Sequence, residues 1–167
     1  LLAQCAREMH SELFIAPRPL VDLMVILTQP QPDELIHDPL AGVASFLVAA
    51  DQYVQVISED WSEKAASTAE VQDSGIDEEL EEKPLLMGIE PNLTWQRLAL
   101  MNCLLHHLDY FPALPVQWGN SLLLGKERPL PPADVILSML IFTQKQATPE
   151  DFLEYIYRHL KPGGRAA

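Results

Sequence analysis

The chain has little glycine, little cysteine and few basic residues. Its 167 residues include seven glycines, two cysteines and 11 lysines and arginines against 24 acidic residues, for a net charge of −13. The scattered glycines form no phosphate-binding loop of the Gly-x-x-x-x-Gly-Lys-Ser/Thr or Gly-x-Gly-x-x-Gly type. Because the cations are not clustered, the sequence predicts no direct nucleic-acid binding and no binding to anionic membranes. No apolar run reaches the roughly 20 residues of a membrane-spanning helix.

The two cysteines and the first residues bear on where the protein works. Cys5 and Cys103 lie among leucines and alanines, which predicts reduced, buried thiols and not a disulfide framework. The first residues lack the charged and apolar regions of a secretion signal. The chain begins with Leu1 instead of Met, which we interpret as a domain excised from a larger intracellular protein, cytoplasmic or nuclear and not secreted.

An acidic segment occupies the middle of the chain. Residues 59–83 hold ten of the acidic residues and only two basic ones, and the apolar periodicity ends near residue 66. A structureless loop of that length is usually functional or disordered. We therefore predict an N-terminal helical half at 1–65, a disordered acidic loop at 66–83, a C-terminal helical half at 84–161 and a tail at 162–167.

Apolar residues recur at intervals of three and four on both sides of this segment. The spacing predicts six helices, at about residues 1–14, 20–28, 40–61, 93–109, 134–145 and 149–161. Asp38 before Pro39 and Thr148 before Pro149 match the pattern of a capping residue followed by proline at the start of a helix. Residues 20–28 would also suit a central strand, but no partner strand is evident. The predicted fold is all-α, an irregular bundle of about six helices, with part of a HEAT- or ARM-like helical scaffold as one form of it.

A short motif in the acidic loop points to regulation. Asp73-Ser74-Gly75-Ile76-Asp77-Glu78 resembles the phosphodegron Asp-Ser-Gly-apolar-x-Ser, with a glutamate in the position of the second serine. The resemblance implies a regulatory site at Asp73, Ser74, Gly75 and Glu78, where phosphorylation of the serine would add about −1.5 to −2 charges. The alternatives are an ordinary solvated loop, or a loop that mimics nucleic acid and blocks a basic groove.

One group of side chains has the chemistry of a thiol or metal site. Cys103 and His107 are four residues apart on one predicted helix face, with His106 beside them. A structural zinc site needs four ligands, and the sequence offers no second pair. Apolar neighbours also raise a thiol pKa and make it unreactive. We therefore predict no catalytic residue, metal or cofactor, and keep an intracellular enzyme using Cys103, His106 and His107 as the alternative function.

Aromatic and leucine side chains in an irregular stretch favour a partner-binding surface. The candidates are Tyr110, Phe111, Trp118, Leu122 and Leu123, because interfaces favour large aromatic anchors and exposed apolar patches need covering. No further motif assigns the chain to a family. The predicted function is that of a non-catalytic scaffold or adaptor that binds protein partners in a multisubunit hetero-complex, regulated through a phosphorylated acidic loop.

Overall fold

The computed structural model describes residues 15–68, 85–108, 114–127, 129–140 and 148–167. Helices and strands alternate along these ranges. The helices are α1 (Arg18–Thr28), α2 (Ser45–Thr68), α3 (Leu93–Leu105), α4 (Ser121–Glu127) and α5 (Pro149–His159). The strands are β1 (Leu35–Asp38), β2 (Leu85–Glu90), β3 (Val116–Trp118), β4 (Ala133–Ile136) and β5 (Leu160–Ala166).

The five strands form one parallel sheet in the order β3-β2-β1-β4-β5. From β1 the chain moves outward to β2 and β3, and it then crosses back to place β4 on the other side of β1. This reversal between β1 and β4 is the switch point of a doubly wound α/β sheet. The prediction of an all-α bundle or helical-repeat scaffold is therefore wrong.

Strands β1, β2 and β4 escaped the sequence prediction because they are short and at least half buried. Ile36, Ile89 and Val135 are completely enclosed. A parallel strand covered on both faces appears in a sequence as a brief apolar run without alternation, and such a run also fits a helix. The predicted helix at 134–145 begins instead as β4, and the predicted tail contains most of β5, where Pro162 is tolerated at the sheet edge.

The turn after β1 explains the largest shift in a helix boundary. Asp38 ends a strand instead of capping a helix, and α2 begins only at Ser45. Gly42 and Ala44 have φ angles of 54° and 63°, outside the right-handed helical region. The helix therefore cannot begin at Leu40, where we predicted it.

Several helices agree with the sequence. The helices predicted at 20–28, 93–109 and 149–161 are present as α1, α3 and α5, although α3 ends at Leu105 and α5 at His159, where β5 follows directly. Thr148 and Asp151 form a reciprocal capping box at the start of α5, as the pattern indicated. None of the helices in the described ranges is both long and apolar enough to cross a membrane.

The helices pack closely on the sheet. Gly88 in β2 shows how closely, because a Cβ added there would lie 2.9 Å from Cδ1 of Leu47 in α2 and 3.0 Å from Cγ2 of Val116 in β3. The predicted helix at 1–14 and nearly all of the acidic loop lie outside the described residues; residues 66–68 belong to α2. Both predicted halves contain strands and are not purely helical, while the division of the chain at residues 66–83 stays a prediction.

Candidate functional site

Two acidic side chains end neighbouring strands at the centre of the sheet. Asp38 is the last residue of β1 and Glu90 is the last residue of β2, and they are only 0% and 3% exposed. In open α/β sheets, ligands bind in the crevice beyond the carboxyl ends of the strands, at the switch point. Because β1 borders that switch point, this edge is the candidate site.

A tight turn at residues 39–44 closes one side of the site. The Ala41 N–H donates to the carbonyl oxygen of Ile89 at 2.9 Å, and Nδ2 of Asn102 donates to the carbonyl oxygen of Val43 at the same distance. The turn is thus attached to β2 and to α3. Those attachments hold Ala44 in a left-handed conformation that costs a non-glycine residue about 1 kcal/mol.

Glu90 connects the two loops that border the site. Its Oε2 accepts the Gly42 N–H at 2.9 Å, and its Oε1 accepts the Asn92 N–H at 2.7 Å. Burial raises the pKa of this carboxyl group, while the two hydrogen bonds act in the opposite direction. The side chain therefore fixes the turn after β1 against the start of α3, where Asn92 caps the helix.

Asp38 is the more strongly perturbed of the two acids. Its Oδ1 accepts the Leu40 N–H at 3.0 Å and the Ser138 hydroxyl at 2.9 Å. Its Oδ2 has no hydrogen-bond partner within the described part of the chain. Burial raises the pKa of Asp38 to about 7, against the hydrogen bonds from Leu40 and Ser138, and the charge of Glu90 adds to the rise. A buried, unpaired acceptor of this kind suits a ligand that donates a hydrogen bond.

An aromatic side chain stands at the same edge of the sheet. Trp118 ends β3, pairs in register with Glu90 and is 64% exposed. Its Nε1–H donates to the carbonyl oxygen of Pro91 at 2.9 Å. The site therefore combines two buried hydrogen-bond acceptors, a strained turn and an exposed indole ring held in a fixed position.

The residues predicted to bind a partner are only partly described. Trp118 lies at the candidate site, while Leu122 is half-buried and Leu123 is exposed in α4. Tyr110 and Phe111 lie outside the described residues, as do Asp73, Ser74, Gly75 and Glu78 of the predicted regulatory site. Their roles stay predictions.

The alternative thiol or metal site is not assembled. Cys103 is buried in the core, and burial raises its pKa to about 11, so the thiol is unreactive at neutral pH. His106 and His107 are exposed beyond the end of α3. No group of His, Cys, Asp and Glu side chains in the described ranges is arranged to hold a metal ion.

Sequence reasoning missed Asp38, Glu90 and Ser138 as site residues. Their common signal is position: each stands at or just beyond the end of a short apolar run, in β1, β2 or β4. Recognising those runs as parallel strands would have placed all three at one edge of the sheet. We had instead interpreted Asp38 as a helix cap.

Comparison with known proteins identifies relatives over nearly the whole chain. Residues 1–166 match the family described as N-6 DNA Methylase. The chain is 34% identical to the type I restriction enzyme StySPI methylase subunit of Salmonella potsdam, and the match covers 92% of this chain and 30% of that protein. It is 33% identical, with the same coverage, to the EcoKI methylase subunit of Escherichia coli K12. The chain thus spans about a third of the length of these relatives.

Solved structures share the same fold. The EcoKI M protein matches with a TM-score of 0.71 and 29% identity, over 94% of this chain and 34% of that one. A modification subunit of a putative type I restriction enzyme from Vibrio vulnificus matches with a TM-score of 0.68 and 24% identity, over 99% and 36%. A putative class I S-adenosylmethionine-dependent methyltransferase from Listeria monocytogenes, at 16% identity, a TM-score of 0.64 and coverage of 98% and 49%, shows the fold alone.

These matches overturn the functional prediction. DNA methylases are enzymes, so the expectation of a non-catalytic scaffold or adaptor is wrong. Cys103, His106 and His107 do not provide the enzymatic alternative either, because they form no site. The family match, the level of identity and the shared fold agree that the chain belongs to the N-6 DNA Methylase family.

Proposed function

We propose that this chain binds S-adenosylmethionine at the carboxyl edge of its sheet and forms the cofactor-binding part of an N-6 DNA methylase. The observation that carries the proposal is the buried pair Asp38 and Glu90, which ends adjacent strands at the switch point of a doubly wound sheet. The family supplies the type of reaction, and the fold is one that S-adenosylmethionine-dependent methyltransferases use.

The residues at the site fit an adenosine-containing cofactor. Each oxygen of Glu90 accepts one backbone N–H and keeps a further lone pair for a ribose hydroxyl. An acidic residue serves that purpose in dinucleotide-binding sheets of the same strand order. Oδ2 of Asp38 can accept from a cationic or N–H donor, and at Gly42 the space where a Cβ would stand has no atom within 4 Å.

The roles of the chain's own residues follow from this placement. When bound, S-adenosylmethionine supplies a methyl group attached to a positively charged sulfur. Glu90 would bind and orient the ribose of the cofactor. Asp38, which directly precedes the turn at 39–44, would attract the positively charged sulfur. Because both carboxyl groups are buried, their interactions with a ligand are screened less than at an exposed surface.

We also propose that DNA is the methyl acceptor and that the chain works with other protein subunits of a type I restriction system. The relatives are methylase or modification subunits of such enzymes, which supports the earlier expectation of protein partners in a hetero-complex. The relatives are bacterial, which supports an intracellular location and gives no support to a nuclear one.

Calorimetric titration with S-adenosylmethionine tests cofactor binding. We expect the wild-type chain to bind, and Glu90→Gln to bind roughly 10- to 100-fold more weakly, because a hydrogen bond to a charged group contributes about 1.5–3 kcal/mol. Asp33→Asn is the matched control, since Asp33 is exposed just before β1, at the opposite end of that strand from Asp38. Thermal unfolding without ligand separates loss of folding from loss of binding. A wild-type chain that does not bind, or equal affinities of Glu90→Gln and Asp33→Asn, would contradict the proposal.

A further inference from the structure

Trp118 is a feature of the carboxyl edge that cofactor binding by Asp38 and Glu90 does not use. A tryptophan normally gains stability by burying its large ring, yet this indole is 64% exposed. Its polar atom is nevertheless engaged, since Nε1–H donates to the carbonyl oxygen of Pro91 at 2.9 Å. That bond fixes the ring beside the loop that follows Glu90 and leaves much of its apolar surface open to a ligand.

The sheet places this ring next to the ribose-binding acid. Trp118 and Glu90 are register partners on the parallel strands β3 and β2. Their Cα atoms are therefore separated by one strand spacing, about 4.8 Å, and their side chains project from the same side of the sheet. A nucleoside joins its base directly to the ribose. The base of a ligand whose ribose binds Glu90 therefore lies within reach of the indole ring.

We propose that Trp118 is the stacking platform for the base of the nucleoside cofactor, and so the residue that makes the site select a ligand carrying an aromatic base. The inference rests on the proposed function and assigns the base-binding half of the same site. Because the hydrogen bond to Pro91 already orients the ring, stacking requires little further ordering of the side chain. Stacking on an aromatic ring needs only the face of the base, so base-edge hydrogen bonds are not required.

The competing explanation is that Trp118 docks a protein segment, as we first predicted from the sequence. Leu114 and Leu93 are also exposed. The register with Glu90 and the bond to Pro91 favour a nucleoside, because they join the indole to the buried acid and not to either leucine. The two explanations differ in one property: only base stacking depends on whether the ligand has a base.

Two ligands and five proteins test the assignment, with Glu90→Gln as the fifth protein. Calorimetry would compare S-adenosylhomocysteine with S-ribosylhomocysteine, which lacks the base, on the wild-type chain, Trp118→Leu, Trp118→Phe and Tyr157→Leu. Tyr157 is an exposed aromatic residue on α5 and serves as the matched control. Trp118→Leu should bind S-adenosylhomocysteine roughly 10- to 100-fold more weakly, as expected for loss of one stacked base. Trp118→Phe should stay within about threefold of wild type, and Tyr157→Leu should be unchanged.

The ligand without the base supplies the decisive comparison. Trp118→Leu and wild type should bind S-ribosylhomocysteine with equal affinity. Glu90→Gln should instead lower the affinity for both ligands. Quenching of tryptophan fluorescence by S-adenosylhomocysteine should also be largely lost in Trp118→Phe. If wild type and Trp118→Leu bind S-adenosylhomocysteine equally, the stacking role is wrong and the proposed function stands. If Trp118→Leu weakens both ligands alike, Trp118 shapes the site without reading the base, which also overturns the inference. A wild-type chain that binds neither ligand overturns both proposals.

Discussion

The carboxyl groups at the two edges of the parallel sheet have different hydrogen-bonding partners. At the carboxyl edge, Asp38 and Glu90 are buried and accept hydrogen bonds from neutral N–H and O–H groups, and burial raises both pKa values. Toward the amino edge, Glu34 and Asp134 are paired with Arg165 and Lys161 at 2.5 and 2.7 Å. Within the described ranges, one edge thus holds acids without cationic partners, and the other holds acids that are paired with a cation.

This difference separates stability from function within one layer of the fold. The paired acids fasten elements together: Arg165 in β5 also donates to the carbonyl oxygens of Thr28 and Gln29 at the end of α1. The acids without a cationic partner lower the stability of the folded state. Proteins retain such destabilising groups at sites where they interact with a ligand. We therefore expect a substitution of Asp38 to raise the stability of the fold and weaken ligand binding. A substitution at the amino edge should lower the stability and leave ligand binding unchanged.

The largest expected effect is a reversed pH dependence at Asp38. Its pKa rises from the ordinary 3.8 to about 7 on folding, so its contribution to stability is complete below about pH 4 and is lost as the pH rises through 7. A shift of about three units corresponds to about 4 kcal/mol. Asp38→Asn removes the loss of stability that ionisation of Asp38 causes at high pH. It also introduces a buried amide donor, which offsets part of the gain. We therefore expect the variant to be about 1–3 kcal/mol more stable than wild type at pH 8 and to bind S-adenosylmethionine more weakly.

Urea unfolding at pH 4.5, 6 and 8, together with calorimetry, measures both changes. Asp33→Asn removes an exposed acid just before the same strand and should leave the binding unchanged. Equal pH slopes for wild type and Asp38→Asn would show that Asp38 is not the titrating group that the geometry indicates.

The next effect belongs to the amino edge and should leave binding untouched. Arg165→Met removes the donors to Thr28, Gln29 and Glu34 and leaves a half-buried carboxylate without its cation. We expect the free energy of unfolding to fall by about 2 kcal/mol. Arg18→Met is the matched control, because its pair with Asp22 is exposed and contributes at most about 0.5 kcal/mol. Equal losses in the two variants, or weaker cofactor binding by Arg165→Met, would contradict the separation of the two edges.

The sequence was sufficient for the helices with local signals and insufficient for the sheet. Thr148, Pro149 and Asp151 define the start of α5 by bonds within four residues, so the pattern could be recognised without knowing the fold. A strand such as Ala133–Ile136 has no comparable local signal, because its hydrogen bonds go to residues about 100 positions earlier or some 30 later. Apolar residues alone could not distinguish it from a helix.

The site was unpredictable for the same reason. Asp38 and Ser138 are 100 residues apart, and Asp38 and Glu90 are about half as far, so only the parallel sheet brings them together. The helix-start interpretation of Asp38 and Pro39 also failed for a physical cause, since the positive φ angles at Gly42 and Ala44 belong to a turn that follows a strand. Trp118 was identified as a candidate because aromatic residues in an irregular stretch are typical of binding surfaces, and the partner that we predicted there was a protein.

A smaller effect is expected from the backbone of the turn at 39–44. A methyl group at Gly42 meets no atom within 4 Å, so Gly42→Ala costs only the left-handed φ of 54°, about 1 kcal/mol. Ala44→Gly is the comparison: it relieves the same strain, but it adds freedom to the unfolded chain and removes a buried methyl group, so we expect a net loss of about 1 kcal/mol. Thermal unfolding measures both. A loss of several kcal/mol in Gly42→Ala would mean that the turn is held more tightly than its contacts indicate.

The smallest effect is expected at Asp134, where the stability should depend on pH in the direction opposite to that at Asp38. Partial burial raises the pKa of Asp134, but hydrogen bonds from Lys161 and the Leu35 N–H outweigh it and leave the pKa below its ordinary value. Its contribution is therefore present above about pH 4 and is lost as the pH falls further. Asparagine can still accept from Leu35, so Asp134→Asn removes only the charge. Since Lys161 is partly exposed, we expect a loss of about 0.5 kcal/mol at pH 7 that decreases as the pH falls below about 4 and is smaller in 1 M salt.

Urea unfolding across pH 3–8 would compare the free energies of unfolding of Asp134→Asn and Asp38→Asn with that of wild type. Asp134→Asn should approach wild type as the pH falls, because the wild-type carboxylate is then protonated and its pair with Lys161 is lost. Asp38→Asn should depart from wild type as the pH rises, because only the wild-type chain then carries a buried charge at that position. If Asp134→Asn is instead more stable than wild type at high pH, the amino edge also holds a destabilising acid. The contrast between an edge that stabilises the fold and an edge reserved for a ligand would then be lost.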